Sequence, residues 1–197
     1  MKAAVITENG LETQDVEQPK PGTGEVLVKV KAAGLNRADL LAVQGARGFA
    51  AGGVGGREFS GEVVALGDGV TGLSVGDRVM CTGNCAYAEY AVTTAARAWK
   101  VPGNNMSLEQ AATLPVSLQT MHNAIVTAGR MVKGDAVLIQ GASSGVGILG
   151  MQIAKFMGAR LVIGTSTHEG RRAKLTEYGA DMALDSSSPD WADKVLE

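Results

Sequence analysis

The first half of the chain, from Met1 to about Val101, alternates short apolar, β-branched runs with Gly, Pro and Asp. Such runs are typical of strands joined by tight turns. One stretch departs from the pattern, because Asn36 stands where it can cap a helix and apolar residues then recur at helical spacing up to Val43. We therefore predict a small all-β domain with one helix over Asn36–Val43. Its predicted strands are Lys2–Thr7, Glu25–Ala32, Ser60–Leu66, Asp77–Cys81 and Ala86–Val92.

The spacing of apolar positions changes at Ser107. Ser107 and Gln110 form a capping-box pattern, and a further helical stretch, Leu118–Ala128, ends at Gly129. From Ala136 onwards strands alternate with helices, which is the pattern of a parallel sheet. The predicted strands are Ala136–Gln140, Arg160–Gly164 and Met182–Leu184, and the predicted helices are Gly145–Met157, stopped by Gly158, Glu169–Tyr178, stopped by Gly179, and a third that begins over Asp190–Glu197.

These elements predict a fold of the α/β class that combines a β domain over residues 1–115 with an α/β domain over residues 116–197. Three parallel strands make half of a doubly wound sheet, so we expect the sequence to stop within that second domain. The sheet edge left open would favour association, and a homodimer is one expected way to cover it.

Composition narrows the classes of function. Hydrophobic residues make up 45% of the chain and charged residues 19%, which fits a globular protein and excludes a disordered one. The 18 basic and 20 acidic side chains leave no charge excess that would indicate a nucleic-acid partner. Two uncharged stretches, 110–129 and 136–154, are broken by polar or helix-breaking residues, so we expect no membrane span. Two cysteines and no signal-peptide pattern favour a cytoplasmic location.

The strongest chemical signal lies between the predicted strand Ala136–Gln140 and the helix that follows it. The turn Gly141-Ala142-Ser143-Ser144-Gly145-Val146-Gly147 consists of small residues, so a diphosphate can approach its amides and the positive end of the helix. A literal GxGxxG match starts at Gly145 and would put its last glycine inside the helix. We therefore place the turn at residues 141–147, with Ala142 and Ser144 where the first two glycines would be. The alternative is a turn that packs helix on strand without a ligand.

The end of the next strand predicts which dinucleotide this turn binds. An acidic residue about 20 residues after the turn would hold the ribose of NAD. Here the segment reads Gly164-Thr165-Ser166-Thr167-His168-Glu169-Gly170-Arg171-Arg172, without an acid at the strand end. Three hydroxyls and two arginines can bind a 2′-phosphate, so NADPH is favoured over NADH. The alternative is that Thr167 caps the next helix and the arginines are solvated.

Six motifs follow one another in order and spacing. They are Gly34–Leu41, Gly56–Val63, Val75–Val79, Tyr87–Val92, Ala111–Pro115 and the turn at 140–147. Together they resemble the zinc-independent quinone oxidoreductase branch of the medium-chain dehydrogenase/reductase superfamily, over the whole chain. The resemblance implies a GroES-like β-barrel domain over 1–115 and the first half of a Rossmann domain over 116–197. It also implies NADPH as cofactor and hydride transfer to a quinone or another activated carbon–carbon double bond, such as that of an enone.

The resemblance also implies roles for single residues. Asn36 matches an asparagine near the nicotinamide amide, and Thr120 matches a threonine beside the nicotinamide ribose. Ser143, Gly145 and Val146 match the diphosphate turn, whereas Ser166 and Arg171 match a serine and a lysine that grip the 2′-phosphate. Leu41 and Ser186 stand where relatives often have tyrosines. No residue is predicted as the catalytic acid.

We expect no metal. In the zinc-dependent branch a cysteine stands at the position of Asn36 and a histidine at that of Arg57, and thiolates and imidazoles are the ligands that hold zinc. Cys81 and Cys85 have no partners for a tetrahedral site, and His122 and His168 are interpreted as a helix residue and a surface residue.

Two other functions remain open. The missing half-sheet is compatible with a non-catalytic nucleotide-binding fragment or interaction module. An enoyl-thioester reductase that acts on carrier-bound acyl chains would share the same motifs.

Overall fold

The computed structural model describes residues 1–44, 52–103 and 105–196, so Glu197, the last residue of the third predicted helix, lies outside the described residues. The chain divides into two compact units, Met1–Val116 and Ser117–Glu197. Each unit has a hydrophobic core of its own.

The first unit is built on antiparallel strands. A two-stranded sheet pairs β1 (Lys2–Thr7) with β2 (Gly10–Asp15). The larger sheet has the order β6-β3-β4-β5-β7, and its strands are β3 (Glu25–Ala33), β4 (Glu58–Leu66), β5 (Arg78–Thr82), β6 (Tyr90–Thr94) and β7 (Ala98–Lys100). Val26, Val28, Phe59 and Val63 are fully buried at its centre. The remaining elements are helix α1 (Arg37–Val43), a 3-10 turn (Ala95–Arg97) and helix α2 (Leu108–Ala111).

Most of the predicted strands of this unit are confirmed, but β2 and β7 were missed and β6 begins later than predicted. Every residue of β2 after Gly10 is exposed, so that strand carries no alternation of buried and exposed positions. The predicted strand Ala86–Val92 is wrong at its start, because Ala86 and Tyr87 lie in a loop whose amides bond to the carbonyls of Gly56 and Gly55. The capping box at Ser107 and Gln110 is confirmed.

The second unit alternates helices and parallel strands, as predicted. Helix α3 (Pro115–His122), which starts at the junction of the units, continues as a π-helical stretch (Asn123–Ala128). The sheet order is β10-β9-β8, with strands β8 (Ala136–Ile139), β9 (Leu161–Thr165) and β10 (Met182–Leu184). The remaining elements are helix α4 (Gly145–Phe156), helix α5 (Glu169–Arg172), a 3-10 turn (Leu175–Tyr178) and helix α6 (Asp193–Leu196).

The predicted continuous helix over 169–178 is wrong. The stretch breaks into α5 and the 3-10 turn, and Leu175, at the start of that turn, is fully buried among Met151 and Val162. Glycine in the first turn weakens the short helix, and the burial of Leu175 then sets the path of the chain. Gly158 and Gly179 adopt the left-handed backbone expected of residues that end helices.

Asp181 joins α4 to the sheet. Its carboxylate accepts bonds from Lys155 Nζ at 2.5 and 2.6 Å and from the Val162 amide at 2.7 Å. The Lys155 ammonium and then the Val162 amide hold the pKa of this carboxyl below its ordinary value of 3.8.

Replacing Asp181 by Asn should lower the free energy of unfolding at pH 7 by about 0.5–1 kcal/mol, a small loss because the ion pair is half-exposed. A lowered carboxyl pKa stabilises the fold above the unfolded-state value, and this stabilisation is lost as the pH falls through the native-state value. Urea unfolding from pH 7 down to pH 2 should therefore show the wild type and Asp181→Asn converging below about pH 4. Glu177→Gln, an exposed substitution in the same unit, is the control; an equal difference at every pH would contradict the assignment.

Candidate functional site

The turn after β8 leads directly into the first turn of α4. Gly141 has a φ of +63°, which favours glycine, and Ser144 caps α4 by accepting a bond from the Gly147 amide at 3.0 Å. Ser143 and Val146 are half-buried, while Ser144 and Gly145 are exposed. The positive end of a twelve-residue helix therefore faces the open side of the turn.

Two kinds of glycine occupy this region. A Cβ on Gly147 would lie 2.6 Å from both the Ala142 Cα and the Gly141 oxygen, so only glycine lets α4 pack this close to the turn. A Cβ on Gly141 or Gly145 would meet nothing within 4 Å. Gly147 thus has the packing role of the third fingerprint glycine, which supports the placement of the turn at 141–147. Gly150, the end of the literal match, is buried inside α4.

The end of β9 is bonded to this turn. The Ala142 amide donates to the Thr165 carbonyl at 2.9 Å, and the Gly141 amide donates to Thr165 Oγ1 at 3.4 Å. The hydroxyls of Ser143 and Ser166 lie 3.0 Å apart and share a hydrogen bond. The predicted residues of the turn, together with Thr165 and Ser166, therefore form one connected group at the carboxyl ends of two parallel strands. Thr165 and Ser166 are both buried in it.

The two arginines that follow have different surroundings. Arg172 donates to the Ser166 carbonyl at 3.0 Å and forms a 3.0 Å ion pair with Asp185, which follows β10. Arg171 is exposed, and within the described residues its guanidinium has no hydrogen-bonding or ionic partner. Thr167 is exposed and does not cap α5, because His168 does so by accepting a bond from the Arg171 amide at 3.3 Å. Arg172 thus links the ends of β9 and β10, whereas the side chain of Arg171 is exposed to solvent.

Neither of the two remaining predicted residues forms a hydrogen bond to this group among the described residues, and each belongs to a different unit. Thr120 is exposed on α3. Asn36 belongs to the first unit, where it precedes α1. A cap would require the side-chain oxygen of Asn36 to accept from an amide of α1, and no such bond is found among the described residues. The side-chain nitrogen donates to Glu58 Oε1 at 2.8 Å.

Two buried carboxylates surround Asn36, and sequence reasoning singled out neither of them. Glu58 also accepts a bond from the Val116 amide at 2.8 Å, and Asp39 accepts from the Asn36 amide N–H at 3.0 Å. Tyr87 donates its hydroxyl proton to Asp39 at 2.7 Å. Both acids stand inside motifs that were recognised, and an acid beside the apolar run of β4 was the signal that could have marked Glu58.

A zinc ion does not fit these residues. Asn36 is bonded to Glu58, and the side chain of Arg57 is a cation that lies 3.6 Å from Asp39. Across residues 1–44, 52–103 and 105–196, no three His, Cys, Asp or Glu side chains are grouped closely enough to hold a metal. Burial raises the pKa of the Cys81 thiol to about 12, which keeps it protonated and unreactive.

Comparison with known families divides the chain in the same order as the fold. Residues 22–117 match the alcohol dehydrogenase GroES-like domain, and residues 145–197 match the family described as zinc-binding dehydrogenase. In the part of the chain that the structure describes, no helix is long and apolar enough to cross a membrane.

Similar proteins include several reductases and synthases. The chain is 33% identical to the acryloyl-coenzyme A reductase of Metallosphaera sedula over 98% of its length and 67% of that protein. It is 35% identical to a phenolphthiocerol/phthiocerol polyketide synthase of Mycobacterium tuberculosis, over 96% of its length and 9% of that protein. The chain thus spans a small part of the synthase and two thirds of the reductase.

Solved structures agree with these matches. A quinone oxidoreductase from Pseudomonas syringae superimposes with a TM-score of 0.86 at 34% identity, covering 100% of this chain and 62% of that one. A mycobacterial protein, Rv1454c, solved in complex with NADPH, superimposes with a TM-score of 0.85 at 34% identity, covering 98% of this chain and 61% of that one.

A GroES-like β domain followed by the parallel strands of a Rossmann-type sheet defines a dehydrogenase/reductase fold. The chain belongs to the medium-chain dehydrogenase/reductase superfamily, and quinone oxidoreductases of that superfamily are among its structural neighbours. The predicted fold class and family are therefore confirmed.

The two kinds of glycine in the turn should respond differently to one added methyl group. Gly147→Ala should lower the free energy of unfolding by about 1–3 kcal/mol, because backbone atoms of the turn would have to move. Gly145→Ala should leave it unchanged or raise it by up to about 1 kcal/mol, because the space is open and alanine favours the helix. Urea unfolding of both variants measures the contrast; equal losses would show that the turn is packed otherwise.

Proposed function

We propose that this chain forms part of an NADPH-dependent oxidoreductase that transfers hydride, without zinc, to a quinone or to an activated carbon–carbon double bond such as that of an enone. The observation that carries the proposal is the open turn at 141–147, bonded to the end of β9. In α5, the helix that follows β9, Arg171 is exposed and has no side-chain partner within the described residues. The mycobacterial neighbour solved with NADPH supports the choice of cofactor.

The turn has what a diphosphate requires. Gly141 and Gly145 leave open space above the backbone, so a phosphate can approach the amides at the start of α4. The Ser143 hydroxyl can donate to a phosphate oxygen, or to Ser166 as it does here. In this proposal Gly141, Ala142, Ser143, Ser144, Gly145, Val146 and Gly147 form the diphosphate-binding turn.

The end of β9 favours a 2′-phosphate over a free ribose hydroxyl. The first acid after Thr165 is Glu169, and it lies in α5 and not at the strand end. Ser166, Thr167 and Arg171 offer hydroxyl donors and one charged donor, which suit a phosphate dianion. Arg172 is engaged with Asp185, so it holds the strand ends in place and leaves the phosphate to Arg171.

When it is bound, the nicotinamide would supply the hydride. By resemblance, Asn36 and Thr120 would hold the nicotinamide amide and its ribose. The dinucleotide would carry the hydride chemistry, so the chain would act mainly by positioning the reactants and by excluding water.

An enoyl thioester is a second candidate acceptor. Acryloyl-coenzyme A is an α,β-unsaturated thioester, and the reductase named for it is 33% identical to this chain. The match to a polyketide synthase also favours acyl substrates on a carrier. Hydride attack on the carbon β to a thioester carbonyl is chemically equivalent to attack on an enone.

One experiment separates these candidates. A purified protein that contains these residues is titrated with NADPH and with NADH, and then supplied in turn with a quinone, an enone and an enoyl thioester while oxidation of the dinucleotide is followed. We expect selective binding of NADPH and turnover with at least one acceptor, and the most efficient acceptor identifies the class. NADPH binding without any turnover would support the non-catalytic module instead.

Gel filtration of the same protein tests the proposed homodimer. All of these measurements use a buffer with a reducing agent, because a cytoplasmic location is proposed.

Replacing Arg171 by Gln should weaken NADPH binding about 10- to 100-fold, because a charge-assisted bond to the 2′-phosphate is lost. NADH binding should not change, since NADH lacks that phosphate. Calorimetric titration with both dinucleotides measures the two constants. Lys174→Gln removes a neighbouring exposed charge and should leave both constants unchanged; a loss shared by NADPH and NADH in Arg171→Gln would exclude the assigned role.

A further inference from the structure

Two buried carboxylates in the described part of the chain, those of Glu58 and Asp39, hydrogen-bond to the same residue. Glu58 is 3% exposed and Asp39 is 7% exposed. Glu58 Oε1 accepts a bond from Asn36 Nδ2 at 2.8 Å, and Asp39 Oδ2 accepts one from the Asn36 backbone amide at 3.0 Å. Side chain and backbone of this half-buried asparagine are therefore each held by a separate acid.

Burying two carboxyl groups in this way costs free energy of folding. A buried carboxylate loses its hydration, and hydrogen bonds offset that loss only if its oxygens are satisfied. Glu58 meets this condition by accepting from Asn36 with one oxygen and from the Val116 amide with the other. The backbone of Gly34 packs so closely against Glu58 that a Cβ at position 34 would lie 2.4 Å from Glu58 Oε1. The Glu58 carboxylate consequently has little freedom to move.

The partner on the other side is also fixed. The Tyr87 hydroxyl donates to Asp39 Oδ2 at 2.7 Å, and Arg57 Nε lies 3.6 Å from Asp39 Oδ1. Burial, and then the hydrogen bond to Asp39, raise the pKa of Tyr87, so it stays protonated and keeps donating. Asp39 thus holds the backbone at the start of α1 in one position.

The bond to Glu58 also determines which way the Asn36 amide points. Glu58 Oε1 accepts from Asn36 Nδ2, so the NH2 group of Asn36 and not its oxygen faces Glu58. Asn36 Oδ1 then points away from Glu58, and within the described residues it has no hydrogen-bond partner. Asn36 therefore offers an acceptor to any ligand that reaches it.

We propose that Glu58 is a positioning residue that orients Asn36 so that its Oδ1 accepts a hydrogen bond from the carboxamide NH2 of the bound nicotinamide. This inference rests on the proposed function, and it adds a residue and a direction to it. Asn36 so oriented aligns the nicotinamide ring. Asp39 supports the same orientation through the backbone.

Glu58→Gln tests the first half of the inference without any cofactor. A glutamine cannot accept from both Asn36 and the Val116 amide, because one of its two terminal groups is itself a donor. The side-chain NH2 signal of Asn36 in a 1H–15N spectrum, assigned by its disappearance in Asn36→Ala, should shift in Glu58→Gln. Glu62→Gln, an exposed substitution on the same strand, should leave it in place. An unmoved signal in Glu58→Gln, in a protein that still unfolds cooperatively, would overturn the positioning role.

The second half is tested with a cofactor analogue. In 3-acetylpyridine adenine dinucleotide phosphate, a methyl ketone replaces the carboxamide, so the NH2 donor is missing. The wild type should bind NADP+ about fivefold more tightly than this analogue, the value of one neutral hydrogen bond. Glu58→Gln and Asn36→Ala should both lose that preference, and the double variant should lose no more than either single one. Glu62→Gln should keep it.

The outcomes separate the two proposals. If the wild type binds neither dinucleotide, the proposed function and the role toward the carboxamide both fail, while the NH2 signal still decides whether Glu58 orients Asn36. If the wild type binds both but a shifted signal in Glu58→Gln leaves the preference for NADP+ intact, the role toward the carboxamide is wrong and NADP(H) binding stands. Additive losses in the double variant would show that Glu58 acts on the cofactor by another route.

Discussion

The hydrogen bond from the Ala142 amide to the Thr165 carbonyl brings the carboxyl ends of β8 and β9 to one place, and the rest of the candidate site depends on it. Helix α4 packs closely against the same turn, which a glycine at position 147 makes possible. With the strand ends joined, Ser143 and Ser166 come within hydrogen-bonding distance, and the start of α4 is left open. A local restriction on side-chain size thus creates room for a ligand next to it.

A secondary-structure element could be predicted from the sequence when the contacts that determine it are local. The strands of the second unit and helix α4 were predicted well, because their periodicity and the glycine that stops α4 lie within each segment. By contrast, β2 pairs through its backbone while its side chains face solvent, and the helix over 169–178 breaks where Leu175 enters the core. Neither cause can be seen in a window of sequence.

The same distinction applies to the site residues. The turn at 141–147 could be placed because strand, turn and helix are consecutive. Glu58 could not be recognised, since it is bonded to Asn36 and to Val116, which lie 22 and 58 positions away along the chain. The different surroundings of Arg171 and Arg172 were not predicted either, because the pairing of β10 with β9 is what places Asp185 next to Arg172.

The adjacent arginines have a consequence for how this chain could change during evolution or in the laboratory. Arg172 links Ser166 to Asp185, so a substitution there loosens the sheet as well as the loop. Arg171 makes no such side-chain contact among the described residues, and Thr167, which precedes it in the sequence, is exposed. Selection can therefore change the ligand preference at this strand end through side chains that the fold does not need. Ligand specificity can then change while the fold is retained.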